Sequence, residues 1–175
     1  FSVGTSASSS SSYWSPPDIG TYAYYNDDAQ GGTAPAANIV LQSPVIDLSG
    51  LSADQIAGLT LMGDLYFPQP SGSCAGGSDY GEDLTLVMRY DDGDWVSGGF
   101  FDSTPGDWGA ISRALDVPET ATSIQVGILY DDCGGNWAYG VGVDNFGLAI
   151  PPELQLIGYG LYKDDVWLSL IHISE

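Results

Sequence analysis

The sequence predicts an all-β domain, a two-sheet sandwich or jelly roll, and three observations predict it. Short apolar runs recur along the chain, several with strict in-out alternation. Twenty-four glycines and ten prolines supply the turns between them. Helical character is confined to residues 53–57, too few to carry an architecture. Strands joined by long loops with almost no helix resolve into packed antiparallel layers.

Taken in order, residues 1–5 alternate Phe1, Val3 and Thr5 against Ser2 and Gly4, the pattern of a short strand. A serine-rich stretch runs to residue 12, so residues 1–12 read as an N-terminal extension and a candidate donor strand. The body spans residues 13–150. Strands are expected at residues 22–25, 38–48, 59–67, 84–90, 111–117, 123–130 and 139–150. Asp91-Asp92-Gly93-Asp94 reads as a turn. Pro151-Pro152 stops the last strand, because neither residue can donate to an interior ladder. Residues 151–175 form a tail. Within it, Leu154, Leu156, Ile157 and Tyr159 make an apolar strand without an evident partner in the body.

Composition narrows the function classes. Three Lys+Arg against 23 Asp+Glu give a net charge of −20, which argues against nucleic acid and anionic membrane surfaces as partners. No apolar run reaches the ~18–20 residues of a membrane-spanning helix. The chain opens on Phe1 and reads as a mature extracellular or cell-surface form whose signal peptide has been removed. Cys74 and Cys133 lie in polar loops, lack metal spacing, and are expected to form a disulfide in an oxidising compartment, the alternative being two unrelated thiols.

Residues 131–145 hold the densest signal. An acidic, glycine-rich loop enters a strand that carries Asp144 among Val141, Val143, Phe146 and Leu148. A carboxylate in such a strand is costly to bury without a positive partner. With so few basic side chains, a bound cation is the expected one. Asn26, Asp27 and Asp28, followed by Gly31-Gly32, form an oxygen cluster suited to Ca2+. The alternative is a solvated turn, with Asp144 capping backbone. A second acidic group, Asp79, Glu82, Asp83, Asp131 and Asp132, converges if the cysteines pair, and reads as solvated loop surface rather than as a second ion site.

The order of these pieces carries a family resemblance. Residues 26–32 (Asn-Asp-Asp-Ala-Gln-Gly-Gly) come first, then residues 41–50 (Leu-Gln-Ser-Pro-Val-Ile-Asp-Leu-Ser-Gly). An Asp-Asp-Gly-Asp-Trp turn at residues 91–95 and an Asp-x-x-Gly-x-Trp-Ala-x-Gly type ending before Asp144-Asn145 follow. Residues 13–150 thereby resemble the MAM-like and choice-of-anchor J-type jelly-roll modules of bacterial surface proteins. The resemblance implies a two-sheet antiparallel jelly roll, here with extended N- and C-terminal strands. It implies a structural calcium, with the Asn26–Asp28 loop close enough to the last strand to reach Asp144. It also implies adhesion or carbohydrate binding rather than reaction chemistry.

Catalysis finds little support. The one histidine, His172, lies in residues 168–175, which read as translated sequencing-library adapter rather than as biology. The body therefore has no Ser-His or Cys-His dyad. Nineteen aspartates make chance carboxylate pairs expected. Two non-enzymatic functions remain. In the first, the chain is a self-assembling subunit of a surface or secreted filament, a homopolymer in which Phe1 and Val3, or Leu154 to Tyr159, are exchanged into a neighbour's sheet edge. In the second, it is a carbohydrate-binding or adhesive module. Trp95, Trp108, Trp137 and Tyr139 would then stack on sugar rings, unless they pack over the core instead. There is no Asn-x-Ser/Thr sequon, so any glycan is expected as O-glycosylation on Ser8, Ser9, Ser10, Ser11 and Ser12.

Overall fold

Alternation in the sequence becomes two facing sheets in a computed structural model of the chain, which describes residues 1–30, 38–68, 74, 81–134, 138–150, 162–163 and 166–167. The strands are β1 (Ser2–Gly4), β2 (Tyr22–Asn26), β3 (Asn38–Gln42), β4 (Ile46–Asp47), β5 (Thr60–Tyr66) and β6 (Asp83–Tyr90). They continue with β7 (Val96–Phe100), β8 (Gly109–Ala114), β9 (Ser123–Asp131), β10 (Gly140–Ala149), β11 (Tyr162–Lys163) and β12 (Val166–Trp167). One sheet has the order β1-β2-β10-β5-β8. The other has the order β12-β11-β3-β9-β6-β7, with β4 also on β9. Every described pairing is antiparallel. The chain switches sheets between β2 and β3, β4 and β5, β5 and β6, β7 and β8, β8 and β9, β9 and β10, and β10 and β11, which is the winding of a jelly roll.

Inward-facing residues of the two sheets meet in one core. Leu61 and Leu65 of β5, Val141 and Val143 of β10, Leu84 and Leu86 of β6, and Ile124, Val126 and Ile128 of β9 are all buried there. At ~25 cal/mol per Å2 of apolar area, this layer is the main driving force for the fold. The short helix α2 (Ala53–Ala57) opens with a capping box, in which Gln55 N donates to Ser52 Oγ and Ser52 N to Gln55 Oε1.

Three local features differ from the sequence expectation. The strand expected over residues 38–48 is split, because Pro44 lacks a ladder donor; Ser43 bridges the gap, taking Val126 N on its hydroxyl while Ser43 N donates to Val126 O. β7 went unread because Gly98 and Gly99 dilute its pattern. Gly98 is required there, since a Cβ would lie 2.7 Å from Leu86 Cδ2. The serine-rich stretch, read as an extension from the body, is folded onto it. Residues Ser6–Ser9 form a helical turn, α1, and Ser9 is buried with its hydroxyl 2.6 Å from the Tyr22 hydroxyl.

The N-terminal strand, read as a donor to another chain, here completes its own sheet. Ser2, Val3 and Gly4 pair with Tyr24, Ala23 and Tyr22, and the Phe1 ring lies 6.3 Å from Tyr25. At the other end of the chain, Tyr162 of β11 pairs with Gln42 of β3. Leu154, Leu156, Ile157 and Tyr159 lie outside the described residues.

A second apolar cluster covers the outer face of the β2-β10-β5 sheet. Trp14, Tyr22 and Tyr66 are buried in it, with Tyr24, Trp108 and Tyr139 packed against them. The sequence reading singled out other aromatics but not Trp14, which is fully buried and stacked on Tyr24 at 6.0 Å.

Candidate functional site

The expected calcium ligands do not converge. Asn26, the last residue of β2, lies opposite Gly140, and Val143 lies opposite Ala23. Asp144 is thus four residues further along β10, ~13 Å away at strand rise. It sits across from Asp64 of β5, beside a bulge, and takes Asn145 N on its own Oδ1. Burial first, and the Asp64 charge with it, pushes the Asp144 carboxyl up, against the lowering bond from Asn145 N. The Asn26 amide is committed elsewhere, donating to Ser9 O and Ser11 Oγ and accepting from Ala29 N. Asp28 Oδ2 accepts from Tyr13 N. Of the four, Asn26 and Asp27 are buried, and Asp27 is the one that faces a buried acidic site.

That site gathers at Tyr139-Gly140, where three loops meet. Asp27 follows β2, and both Asp27 N and Asp28 N donate to Tyr139 O. Glu82 precedes β6; its Oε2 accepts from Tyr130 OH at 2.6 Å, Tyr139 N at 3.2 Å and Gly140 N at 2.9 Å. Asp132 follows β9, with Gly134 N on its Oδ1. Gly140 has φ +129°, and a Cβ there would collide with Tyr25 O, so glycine alone permits this approach. Asp27, Glu82 and Asp132 are 3%, 0% and 1% exposed, and Asp27 Oδ1 accepts no hydrogen bond. The expectation of a solvated acidic surface is therefore wrong for Glu82, Asp83 and Asp132, all of which are buried.

Burial sets the protonation of this cluster. It pushes Glu82 up to about 7, opposed by the bonds from Tyr130, Gly140 and Tyr139 and reinforced by the Asp27 charge. It pushes Asp27 up to about 6, helped by Asp132 and Asp28 and opposed by the Tyr25 hydroxyl. Tyr130 is raised for the same reasons, burial first and then the Glu82 charge. The disulfide closes over this end: Cys74 and Cys133 are bonded, 59 residues apart in sequence. Their sulfurs lie with an Asp83 carboxylate oxygen within 4.8 Å, but sulfurs joined to each other are not thiolate ligands. Among the described residues no other group of three Cys, His, Asp or Glu ligand atoms is that close. Asp27, Glu82 and Asp132 offer hard oxygens suited to calcium, and one ion would have to draw them together or reach them through water.

A second, open region runs along β8, the outer strand of its sheet. Residues 101–108 wall a depression of about 450 Å3 against β8, lined by Asp102, Ser103, Asp107, Trp108, Ser112 and Arg113 among others. The wall is pinned by Thr104, whose N donates to Phe67 O and whose hydroxyl accepts from Phe67 N. Trp108 is anchored by Nε1 donating to Pro17 O at 2.8 Å and by edge-on contact with Tyr22 at 4.8 Å. Its ring occupies the space over Gly142, where a Cβ would lie 2.7 Å away. Arg113 spans the seam to β7, donating to Gly98 O, Gly99 O and Phe100 O, with its guanidinium over the Phe101 ring at 4.8 Å.

Trp108 thus packs against the Trp14 cluster as well as lining the depression, and the other described sugar-stacking candidates have packing duties too. Trp95 lies under Arg89 at 5.0 Å, Arg89 Nε donating to Gln125 Oε1. Tyr139 packs against the Trp14 cluster. Trp137 lies outside the described residues. Asp102 and Asp107 were missed, because exposed aspartates in a chain this acidic carry no distinguishing pattern.

No family model matches the chain, and no curated protein matches it. Among solved structures the chain is similar to TmCBM61 in complex with beta-1,4-galactotriose, at 13% identity and a TM-score of 0.38, covering 85% of this chain and 87% of that one.

Proposed function

We propose that the chain is a non-catalytic extracellular glycan-binding module, stapled by calcium at one end of its sandwich. The observation that carries the glycan reading is the β8 groove, where the held Trp108 ring shares one depression with two carboxylates and two serine hydroxyls. An aromatic face with fixed polar acceptors is what an amphipathic sugar requires. The disulfide fits an oxidising, extracellular setting. Affinity electrophoresis through gels containing galactan, glucan or mannan tests the reading. Retardation by at least one polymer, relieved in Asp102→Asn/Asp107→Asn protein of unchanged melting temperature, is expected. Unretarded migration in all three would discard it.

The calcium reading rests on Asp27, Glu82 and Asp132, not on the ligand set read from sequence. An unbonded, buried Asp27 oxygen beside two further buried carboxylates favours a cation there. Calcium titration followed by thermal unfolding tests it, as an ion bound only to the native state raises the melting temperature.

Filament assembly is the second reading. What favours it is the brevity of β1, three ladder positions at a sheet edge, whose contacts are the same whether made within one chain or between two. Size-exclusion chromatography and negative-stain imaging separate the readings: fibres lost on deleting residues 1–5 support exchange, and monodisperse monomers remove it. O-glycosylation, if present, falls on Ser8, Ser10 and Ser12, which are exposed, whereas Ser9 is buried and Ser11 half-buried. Intact-mass measurement of natively sourced protein checks this.

A further inference from the structure

The groove's donors and acceptors are unbalanced, and the imbalance selects a class of ligand. Its carboxylates, Asp102 and Asp107, are both exposed at the groove. Its hydroxyls include Ser103 and Ser112. Its one basic lining residue is Arg113, and that guanidinium is already spent on three backbone carbonyls of β7. Releasing it for an anion would leave Gly98 O, Gly99 O and Phe100 O without their donor and open the seam between the two sheets. The chain as a whole carries three basic residues and a net charge of −20. A glycan carrying carboxylates or sulfates would therefore meet like charge on approach and find no cation on arrival.

Resting on the glycan-binding reading, we infer that the groove takes neutral, hydroxyl-rich glycans and rejects uronic-acid and sulfated ones. Sugar hydroxyls donate to Asp102 and Asp107, the stronger charge-assisted kind of hydrogen bond, while the apolar face of a ring lies on Trp108. The same two carboxylates that hold a neutral sugar exclude an acidic one, so affinity and discrimination come from the same atoms. Arg113 acts as a positioning residue, fixing the β8 wall against β7 rather than touching sugar.

Isothermal titration of the full chain with neutral β-linked hexose oligosaccharides and with oligogalacturonate, at matched length, tests the inference. The neutral series binds, with an affinity that changes less than about threefold when salt is raised tenfold, since no ion pair forms. Oligogalacturonate binds at least about tenfold more weakly, equivalent to about 1.4 kcal/mol. Asp107→Lys narrows that gap by weakening the neutral series and improving the acidic one. Equal binding of both series by the wild-type chain overturns the neutral preference and leaves glycan binding standing. Tight, salt-sensitive binding of oligogalacturonate alone also overturns it. Silence toward every oligosaccharide discards the glycan reading itself, and the inference with it.

Discussion

At the Tyr139-Gly140 end of the sandwich three carboxylates lie buried among backbone donors and a tyrosine hydroxyl; along the β8 seam two others face solvent beside a tryptophan. Both regions are built from aspartate, glycine and aromatics, and in the sequence they look alike. Burial separates their chemistry. A desolvated carboxylate must be protonated, hydrogen-bonded or matched by a cation, so proton linkage, and the proposed calcium, belong to the closed end. A solvated one keeps its charge at little cost and can exchange water for a ligand hydroxyl.

The sharpest way to break this contrast is to delete the centre of the closed end. Glu82→Ala leaves Tyr130 OH, Tyr139 N and Gly140 N without their acceptor, and should cost about 3–5 kcal/mol in chemical unfolding. Glu82→Gln, which keeps an acceptor, should cost less while weakening any calcium response. A fully stable Glu82→Ala protein would mean the cluster is not what holds the loops together.

Reducing the Cys74–Cys133 bridge comes next. The bridge spans 59 residues, and losing its constraint on the unfolded chain should lower stability by about 2–4 kcal/mol. A melting temperature unaffected by reductant would show that the closed end holds without it.

Proton linkage sharpens the comparison further. Glu82 and Asp27 are raised in the folded state to about 7 and about 6. A raised carboxyl binds its proton more readily when folded, so this stabilisation is full at acid pH and is lost as pH rises through the folded values. In chelator, stability should therefore fall by a few kcal/mol between about pH 4 and 7. Saturating calcium should restore about 2–3 kcal/mol at the upper end, and Asp27→Asn should remove that restoration. A pH profile identical with and without calcium would take the ion out of the account.

The smallest effect on stability is expected at the open seam. Asp102→Asn and Asp107→Asn should shift unfolding by less than about 0.5 kcal/mol, as exposed substitutions do, yet lower glycan affinity measurably. If they destabilised the fold as Glu82→Ala does, the seam would be structural and the distinction between the two regions would collapse.

Much of the fold was legible because strand periodicity is local. Alternation at residues 59–67, 84–90 and 123–130 foretold β5, β6 and β9 to within a residue or so. The disulfide was legible too, from two cysteines in polar loops. β7 was hidden by Gly98 and Gly99, and the ordered serine run by partners, Tyr22 and Asn26, that lie 13 or more residues away.

By itself, then, the amino-acid order determined that this chain makes a two-sheet antiparallel sandwich, since the period of its apolar residues and the placing of its turns are properties of neighbours in sequence. Which carboxylates are buried was decided only in three dimensions. Asp27, Glu82 and Asp132 come from three separate loops and are buried at the same end because β2, β6, β9 and β10 bring their ends to one edge, while Asp144, the residue most conspicuous in sequence, is carried four positions away along β10. Register between strands distant in the chain fixes such meetings, and a one-dimensional pattern does not contain it.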